Sequence, residues 1–384
     1  MNKIFITFVT LCTVFMTLIK PNLVKAETEL DLCATSAVLI EPISKKIIYA
    51  KNCDEKLYPA SMTKMMGLYL ILEAIDNQII SCNDEVLISS YASSMGGTQI
   101  FLEENEKMPL EDLLKAVAIN SANDAIVALG EHLASSNDNF VKMMNDKAKE
   151  FGMNNTHFVN ATGFDDPDHY TTAYDMAILG CNLVGFGDKI LKYTSMQEGY
   201  VRENTDKPFW LVNTNKLLKY YEGLDGLKTG YTKLAGYNLT ATAKRNGVRL
   251  VSTVMHLDSI AHRSQDTIRL LDYGFSKLKA VSLYNKDEVV STFVIDEILK
   301  KYLQVYVKEE IKIILEKSEK EEDLQINAVL EKVDGFYKKD DIVGYLEVKT
   351  PSGVVFKYNL LALNEVEKPN FFSYLLNIFK RLFA

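Results

Sequence analysis

The stretch Pro59-Ala60-Ser61-Met62-Thr63-Lys64 constrains the fold of this chain more than any other part of it. A serine and a lysine three residues apart on a helix lie on the same face, within reach of each other. The mostly apolar residues 65–72 predict that this helix is buried, and burial lowers the pKa of a lysine. Such a lysine can take the proton of a serine hydroxyl, which is otherwise a weak nucleophile. The stretch therefore predicts a buried helix that carries a nucleophile, Ser61, and its base, Lys64.

The position of the serine along the helix adds to this prediction. Pro59 indicates that the helix begins here, because proline fits the first helical turn. A nucleophile at a helix N-terminus has backbone N–H groups and the positive end of the helix dipole close to the reacting carbonyl. The pattern by itself is common, and the stretch Ser276-Lys277-Leu278-Lys279 also matches it. We interpret that second match as a helix end with solvated lysines.

Two further motifs accompany Ser61. Ser121-Ala122-Asn123 falls at a break in the helical pattern of residues 110–133, whereas the other Ser-x-Asn matches, at 81–83 and 135–137, are interpreted as turns. Lys228-Thr229-Gly230 occurs once and is predicted to start a strand, where Gly230 would let a substrate approach the backbone closely. Each motif is weak alone, but the three together and in this order are a strong signal.

The order of apolar patterns predicts an α+β fold. Short apolar runs at 37–50 indicate a β-hairpin, and Asn246-Gly247 between two further runs is a strong hairpin signal. Helical patterns lie between them, and an amphipathic helix is expected at 261–275. These elements predict one antiparallel sheet covered by a helical lobe. From residue 281 onward, short alternating runs bounded by turns predict a small all-β domain.

The two ends of the chain predict export and membrane attachment. Lys3, the apolar run 4–19 and Val24-Lys25-Ala26 are typical of a cleaved signal peptide, although an uncleaved membrane anchor is the alternative. The C-terminal segment is predicted to be an amphipathic helix lying in a membrane interface or, alternatively, docked on the protein itself. Its apolar face comprises Phe372, Leu375, Leu376, Phe379 and Phe383, and residues 368–384 carry the expected membrane contact. The predicted division is 1–26, signal peptide; 27–280, catalytic domain; 281–366, β domain; and 367–384, amphipathic helix.

Charge and cysteine content exclude several classes of protein. The net charge of −8 and the lack of a basic stripe argue against nucleic-acid binding. The four cysteines that follow the signal segment have no zinc-ligand spacing, so neither a metal nor another cofactor is expected. Disulfides are possible in an exported chain but are not required by a core of this size. These cysteines are Cys33, Cys53, Cys82 and Cys181.

The three motifs resemble the signatures of penicillin-binding proteins and serine β-lactamases. Beyond the motifs, residues 155–167 and 228–239 look like those of the low-molecular-mass D-alanyl-D-alanine carboxypeptidases, and the close resemblance covers residues 33–278. It implies a β-lactamase/transpeptidase-like domain followed by a small all-β domain and a C-terminal amphipathic helix. It also implies a bacterial enzyme at the outer face of the cytoplasmic membrane, with peptidoglycan stem peptides as substrates and β-lactam antibiotics as covalent inhibitors.

The resemblance assigns the reacting groups. Ser61 would attack the carbonyl of the penultimate D-alanine and become an acyl-ester, with Lys64 as the base. Ser121, hydrogen-bonded towards Lys64 and Lys228, would relay a proton to the departing D-alanine. Asn123 would hold the amide of the substrate.

The resemblance also assigns the groups that bind charge. Lys228 and Thr229 would face the terminal carboxylate, and Arg263 would be a second carboxylate-binding group, unless it is a helix-surface arginine beside Asp266. Backbone N–H groups of Ser61 and Tyr231 would form an oxyanion hole. Many members of the family have histidine at the position of Tyr231, so changed rates or preferences are expected there.

Two other functions remain as alternatives. A class A-like β-lactamase needs a glutamate that activates the deacylating water, and Glu150-Phe151-Gly152-Met153-Asn154 matches the Glu-x-x-x-Asn pattern. We interpret Glu150 instead as the end of an ordinary amphipathic helix that Gly152 stops. The second alternative is a non-catalytic penicillin-binding sensor or scaffold, which would need acylation but not efficient release.

Overall fold

The computed structural model describes residues 30–297, 299–331 and 336–367, together with Leu375 and Phe379. The predicted signal segment and nearly all of the predicted C-terminal helix therefore lie outside the described residues. The chain divides into residues 1–32 and 33–384. Residues 30–32, the described part of the first unit, have no regular secondary structure.

Eight helices and sixteen strands are described. The helices are α1 (Lys64–Asp76), α2 (Ser90–Ser93), α3 (Leu110–Lys115), α4 (Asn123–Ala134), α5 (Asn137–Glu150), α6 (Ala173–Val184), α7 (Asp188–Thr194) and α8 (Ile260–Lys277). The strands before α8 are β1 (Ser36–Glu41), β2 (Lys46–Lys51), β3 (Glu85–Leu87), β4 (Lys107–Pro109), β5 (Glu198–Val201), β6 (Phe209–Val212), β7 (Leu224–Thr232), β8 (Gly236–Arg245) and β9 (Val248–Leu257). The strands after α8 are β10 (Leu278–Tyr284), β11 (Val289–Asp296), β12 (Lys301–Tyr306), β13 (Ile311–Glu316), β14 (Gln325–Leu330), β15 (Ile342–Lys349) and β16 (Val355–Ala362).

A five-stranded antiparallel sheet with the order β2-β1-β9-β8-β7 forms the centre of the larger domain. Both predicted hairpins are confirmed: β1 pairs with β2, and β8 pairs with β9. Asn246 and Gly247 form the two-residue loop of the second hairpin, and both have positive φ, 49° and 81°. Positive φ at both loop positions is what a type I′ turn requires, and Asn-Gly adopts it readily. At the other end of the sheet, β7 is an edge strand.

The helical lobe packs tightly around α1. Gly67 on α1 leaves room for Ile126 of α4, because a Cβ there would lie 2.6 Å from the Ile126 side chain. Gly130 in the same way leaves room for the ring of Phe140, at 2.4 Å. Close packing of this kind makes core substitutions costly. The sheet and this lobe together confirm the predicted α+β fold.

The C-terminal β-rich domain begins where α8 ends. Strand β10 pairs with β13, and the remaining strands form a second sheet with the order β11-β12-β16-β15-β14. This domain has its own apolar core, which includes Leu303, Ile313, Leu346 and Leu360. The sequence analysis predicted four of these strands and missed β10, β13 and β14, in which polar or charged residues separate the apolar ones. No helix in the described part of the chain is long and apolar enough to cross a membrane.

Candidate active site

Ser61 lies in a short 3₁₀ turn, Ala60–Thr63, that leads directly into α1. The predicted helix start at Pro59 is confirmed, since this residue is the N-cap of the turn. Ala60 has a φ of 48°, a left-handed conformation that a residue with a side chain adopts only when its surroundings impose it. The backbone just ahead of the serine is therefore held in a strained conformation.

Two glycines from other parts of the fold hold this turn in place. A Cβ on Gly163 would lie 1.9 Å from the Ala60 carbonyl oxygen, and a Cβ on Gly230 would lie 2.5 Å from the Pro59 carbonyl oxygen. We expected Gly230 to let a substrate approach the backbone. The side of Gly230 on which a Cβ would lie is filled by the turn that carries Ser61, Ala60–Thr63, which we call the nucleophile turn. The approach of a substrate to the Gly230 backbone stays a prediction.

Lys64 is the first residue of α1 and is completely buried. Its Nζ lies 3.0 Å from Ser61 Oγ and donates a hydrogen bond to the Thr162 carbonyl, at 2.6 Å. Burial, followed by the positive charge of Lys228, lowers the pKa of Lys64 well below its ordinary value. A neutral amine has one lone pair, and directing an N–H at the Thr162 carbonyl restricts the directions in which that lone pair can point. The arrangement is that of a nucleophile, a base and a third group that orients the base.

Ser121 lies at the predicted break in the helical stretch. A π-helical turn, Ala116–Asn120, ends there, Ser121 has a φ of 67°, and α4 begins at Asn123. Ser121 Oγ is buried and has no hydrogen-bond partner within the described residues. The expected hydrogen bonds from Ser121 to Lys64 and Lys228 are therefore not formed in this structure. Lys64 contacts Ser61 and Thr162 instead, and Lys228 Nζ donates to the Thr229 carbonyl at 3.1 Å.

Asn123 and Asp124 connect this break to the neighbouring loop. The side-chain amide of Asn123 donates to the Gly96 carbonyl at 2.7 Å. Asp124 is buried and accepts hydrogen bonds from the backbone N–H groups of Ile100 and Leu102. Its negative charge opposes, to a smaller extent, the lowering of the Lys64 pKa. Asp124 was missed in the sequence analysis, although a carboxylate directly after Ser-x-Asn and before an apolar helix could have been noted.

Lys228, Thr229 and Gly230 lie in the second half of β7, which begins at Leu224, so the prediction that they start a strand was wrong. Lys228 is fully buried, and burial together with the nearby positive charge of Arg263 lowers its pKa to about 7. Thr229 Oγ1 lies 2.7 Å from Thr214 Oγ1, a contact that the sequence did not indicate. Because β7 is the edge strand, its outer backbone groups are available to an extended peptide.

Arg263 lies in the first turns of α8 and is 5% exposed. The alternative of a helix-surface arginine is therefore wrong. Its Nε is buried without a hydrogen-bond partner among the described residues, and burial lowers its pKa to about 10. Two buried cationic groups, Lys228 and Arg263, thus lie close enough to repel each other, and an anion between them would relieve that repulsion.

Tyr231 differs in environment from the residues around it. Its side chain is 55% exposed and stacks on the ring of Tyr237, with the ring centroids 4.3 Å apart. The side chain of Tyr231 thus lies on the surface of the edge strand β7.

The glutamate that a lactamase would need is not at this site. Glu150 is the last residue of α5, as expected, and its side chain is 62% exposed and paired with Lys147 at 2.8 Å. The described residues contain no group of three or more His, Cys, Asp or Glu side chains that could hold a metal ion. All four cysteines named above have free thiols.

Thr162 was not found from the sequence, because it acts through its backbone carbonyl and its residue type carries no signal. The turn that presents this carbonyl is built by Asn160, whose Oδ1 accepts hydrogen bonds from the backbone N–H groups of Gly163 and Phe164, at 2.7 and 3.1 Å. Asparagine is common in turns because its side chain can hydrogen-bond backbone groups a few residues further along the chain. The segment containing it was singled out only through the family resemblance.

Comparisons with known proteins show which families this chain resembles. Residues 23–259 match the D-alanyl-D-alanine carboxypeptidase family, and residues 279–368 match the penicillin-binding protein 5, C-terminal domain family. The D-alanyl-D-alanine carboxypeptidase DacF of Bacillus subtilis is 41% identical over 352 residues, which are 91% of this chain and 90% of that protein.

Solved structures agree with the sequence comparisons. Penicillin binding protein 5 from Haemophilus influenzae is 28% identical, with a TM-score of 0.70 over 89% of this chain and 100% of that one. Penicillin-Binding Protein D2 from Listeria monocytogenes, solved in an ampicillin-bound form, is 33% identical, with a TM-score of 0.58 over 64% of this chain and 99% of that one.

Proposed function

This chain belongs to the D-alanyl-D-alanine carboxypeptidase family, and on that premise we propose that it removes the terminal D-alanine from peptidoglycan stem pentapeptides through an acyl-ester on Ser61. The observation that carries the proposal is the pair formed by Ser61 Oγ and the buried Lys64 Nζ, 3.0 Å apart. A buried lysine with a lowered pKa is neutral over a wider pH range than an exposed one, so it can act as a base.

The first half of the reaction forms the ester. Lys64 takes the proton of the Ser61 hydroxyl while Oγ attacks the carbonyl carbon of the penultimate D-alanine. Backbone N–H groups of Ser61 and Tyr231 stabilise the resulting oxyanion. As the C–N bond breaks, the departing amine of D-alanine takes a proton from Ser121 Oγ–H, which recovers one from Lys64. Because Ser121 Oγ has no partner among the described residues, its hydroxyl is free to bond the departing amine, and the relay requires it to come into contact with Lys64 during the reaction.

The second half of the reaction releases the product. A water molecule attacks the ester carbonyl while Lys64, which is neutral again, takes one of its protons. The C–O bond to Ser61 then breaks, Lys64 returns the proton to Ser61 Oγ, and the tetrapeptide acid departs. The terminal carboxylate of the substrate binds Lys228, Thr229 and Arg263 before the first step, and Asn123 holds an amide of the stem peptide. The two neighbouring buried cations described above support the carboxylate assignment, because a planar guanidinium suits a carboxylate well.

The proposal is tested by mixing the protein with a soluble pentapeptide that ends in D-alanyl-D-alanine and measuring free D-alanine. We expect catalytic release, together with slow, stoichiometric acylation by a penicillin. Rapid penicillin hydrolysis without release of D-alanine would favour a lactamase instead. Acylation by penicillin without peptide turnover would favour a sensor or scaffold.

The location of the protein is a further part of the proposal. We propose that residues 1–26 direct export and are removed, and that residues 368–384 attach the mature protein to the outer face of the cytoplasmic membrane. Leu375 and Phe379, one helical turn apart, are both helical and exposed, which supports an amphipathic segment. Burial of each large apolar side chain contributes roughly 1.5–3 kcal/mol when complete. The β domain would then separate the catalytic domain from the membrane surface.

Removing the C-terminal segment tests this location. A variant that ends before Lys368 should become soluble when cells are fractionated, while the full chain sediments with membranes. Its activity on a soluble pentapeptide should stay within about twofold of the full chain, because the catalytic contacts described here lie far upstream in the chain. Sedimentation of the truncated variant with membranes would show that the signal segment is the anchor.

A further inference from the structure

His169 is a buried histidine that has no role in the reaction as described so far. It is 1% exposed and lies between a backbone group and a side chain. Its Nδ1 is 3.0 Å from the Val159 backbone nitrogen, which donates to it, and its Nε2 is 2.8 Å from Thr63 Oγ1. Because Nδ1 accepts a hydrogen bond, the ring proton of the neutral form is on Nε2, which therefore donates to Thr63.

These two hydrogen bonds connect the two parts of the chain that meet at Lys64. Thr63 is the last residue of the nucleophile turn and directly precedes Lys64. Val159 begins the 159–164 segment, whose Thr162 carbonyl accepts the hydrogen bond from Lys64 Nζ. Asn160 folds the rest of this segment through its bonds to Gly163 and Phe164. The imidazole is thus a bridge between the base and the group that orients the base.

We infer that His169 is a positioning residue for Lys64: it fixes the Thr162 carbonyl relative to the nucleophile turn and so directs the Lys64 lone pair at Ser61. This inference rests on the proposed acylation of Ser61. A residue that holds a base in place can change the rate greatly without touching the substrate, because a displacement of about 1 Å can cost on the order of 100-fold.

The charge state of His169 suits this role. Burial lowers its pKa to about 4. The charged groups that act on it are Asp166, which favours the protonated form, and His157 and Lys64, which oppose it. The ring also contacts Phe158 edge-on, with the ring centroids 5.8 Å apart. At neutral pH the ring is therefore uncharged, and both hydrogen bonds can persist while Lys64 gains and loses a proton.

Two substitutions at this position each keep one of the two hydrogen bonds. His169→Gln places an amide nitrogen near the position of Nε2, so it can still donate to Thr63 but leaves the Val159 N–H without an acceptor. His169→Asn places an amide oxygen near the position of Nδ1, so it can still accept a hydrogen bond from the Val159 N–H but loses the hydrogen bond to Thr63. We expect each variant to be acylated by a fluorescent penicillin about 10- to 100-fold more slowly than the wild type.

The pH dependence distinguishes positioning from a purely structural role. When the 159–164 segment is loosened, water reaches Lys64 and its pKa rises towards the ordinary lysine value. The acid limb is the part of the pH profile in which the acylation rate falls as Lys64 becomes protonated. This limb should then move to higher pH, and alkaline pH should restore part of the lost rate. A purely structural role would lower Tm and leave the acid limb where it is.

Two further variants complete the experiment. Thr63→Val removes the acceptor from the other end of the bridge with little change in shape, and it should shift the acid limb in the same direction. His132→Gln is the matched control: His132 is also hydrogen-bonded, to Asp84 at 3.3 Å, but it is outside the site, and this variant should behave as the wild type. If the folded His169→Gln, His169→Asn and Thr63→Val variants are acylated at the wild-type rate with an unshifted acid limb, the inference is wrong. If the wild type is not acylated at all, the proposed function fails instead.

Discussion

Replacing Ser61 by alanine should abolish both covalent labelling by a fluorescent penicillin and release of D-alanine from a pentapeptide. The two reactions share the ester bond to Ser61 Oγ, and no other hydroxyl among the described residues lies within hydrogen-bond distance of Lys64 Nζ. Removal of a nucleophile that acts together with its base lowers kcat by a factor on the order of 10⁶ in serine peptidases. Fold stability should change little, because the substitution removes one hydroxyl from a partly buried turn.

The matched control is Ser276→Ala, which removes the serine of the second Ser-x-x-Lys match. Ser276 Oγ donates to the Tyr273 carbonyl within α8, so both activities should stay near the wild-type level. Labelling is read as fluorescence of the denatured protein on a gel, which reports only covalent adducts. Persistent labelling of the Ser61→Ala variant would mean that another residue is the nucleophile.

Lys64→Arg should lower the acylation rate by several orders of magnitude. Arginine keeps a positive charge but stays protonated at any pH that proteins tolerate, so it cannot take the Ser61 proton. In the proposed mechanism, the base of the wild type is the neutral form of Lys64. The rate enhancement that this base provides is therefore fully present above the lowered pKa of Lys64, and it is lost as the pH falls through that pKa. The arginine variant should be acylated slowly, and its pH profile should lack the acid limb that protonation of Lys64 produces in the wild type.

This experiment needs a check that the variant still folds, because a guanidinium in a completely buried position is expected to cost stability. Lys64→Met, which removes the charge and keeps a similar length, serves as the companion variant, and circular dichroism with a thermal melt verifies both. We expect both variants to be nearly inactive. An arginine variant that retained most of the acylation rate would show that residue 64 contributes only charge.

The features that the sequence predicted correctly depend on local chemistry. Asn246-Gly247 encodes a turn through the backbone preferences of two adjacent residues, and Ser61 and Lys64 are joined by one helical turn. Such signals need no knowledge of the rest of the fold. The break at Ser121 was visible for the same reason, because polar residues interrupt an apolar helical pattern there.

The features that were missed depend on contacts between distant segments. Thr162 contributes a backbone carbonyl, and His169 contributes a ring whose two partners lie 10 and 106 residues away along the chain. The hydrogen bonds expected of Ser121 depend on side-chain positions that no local pattern determines. Gly230 could be recognised as a position of close approach, but the approaching group, the nucleophile turn, belongs to a different part of the sequence.

The packing of the nucleophile turn between two glycines has a consequence for antibiotic resistance. Any side chain at either glycine would displace the serine, and in the proposed mechanism that same hydroxyl attacks both the natural peptide and a β-lactam. Substitutions at these glycines would therefore slow turnover of the peptide as much as they slow inactivation of the enzyme by the drug. Variants of this kind would gain little advantage under selection by an antibiotic. Discrimination between the two ligands has to arise at surface positions that can change without moving the turn. Tyr231, whose exposed ring stacks on Tyr237, is such a position.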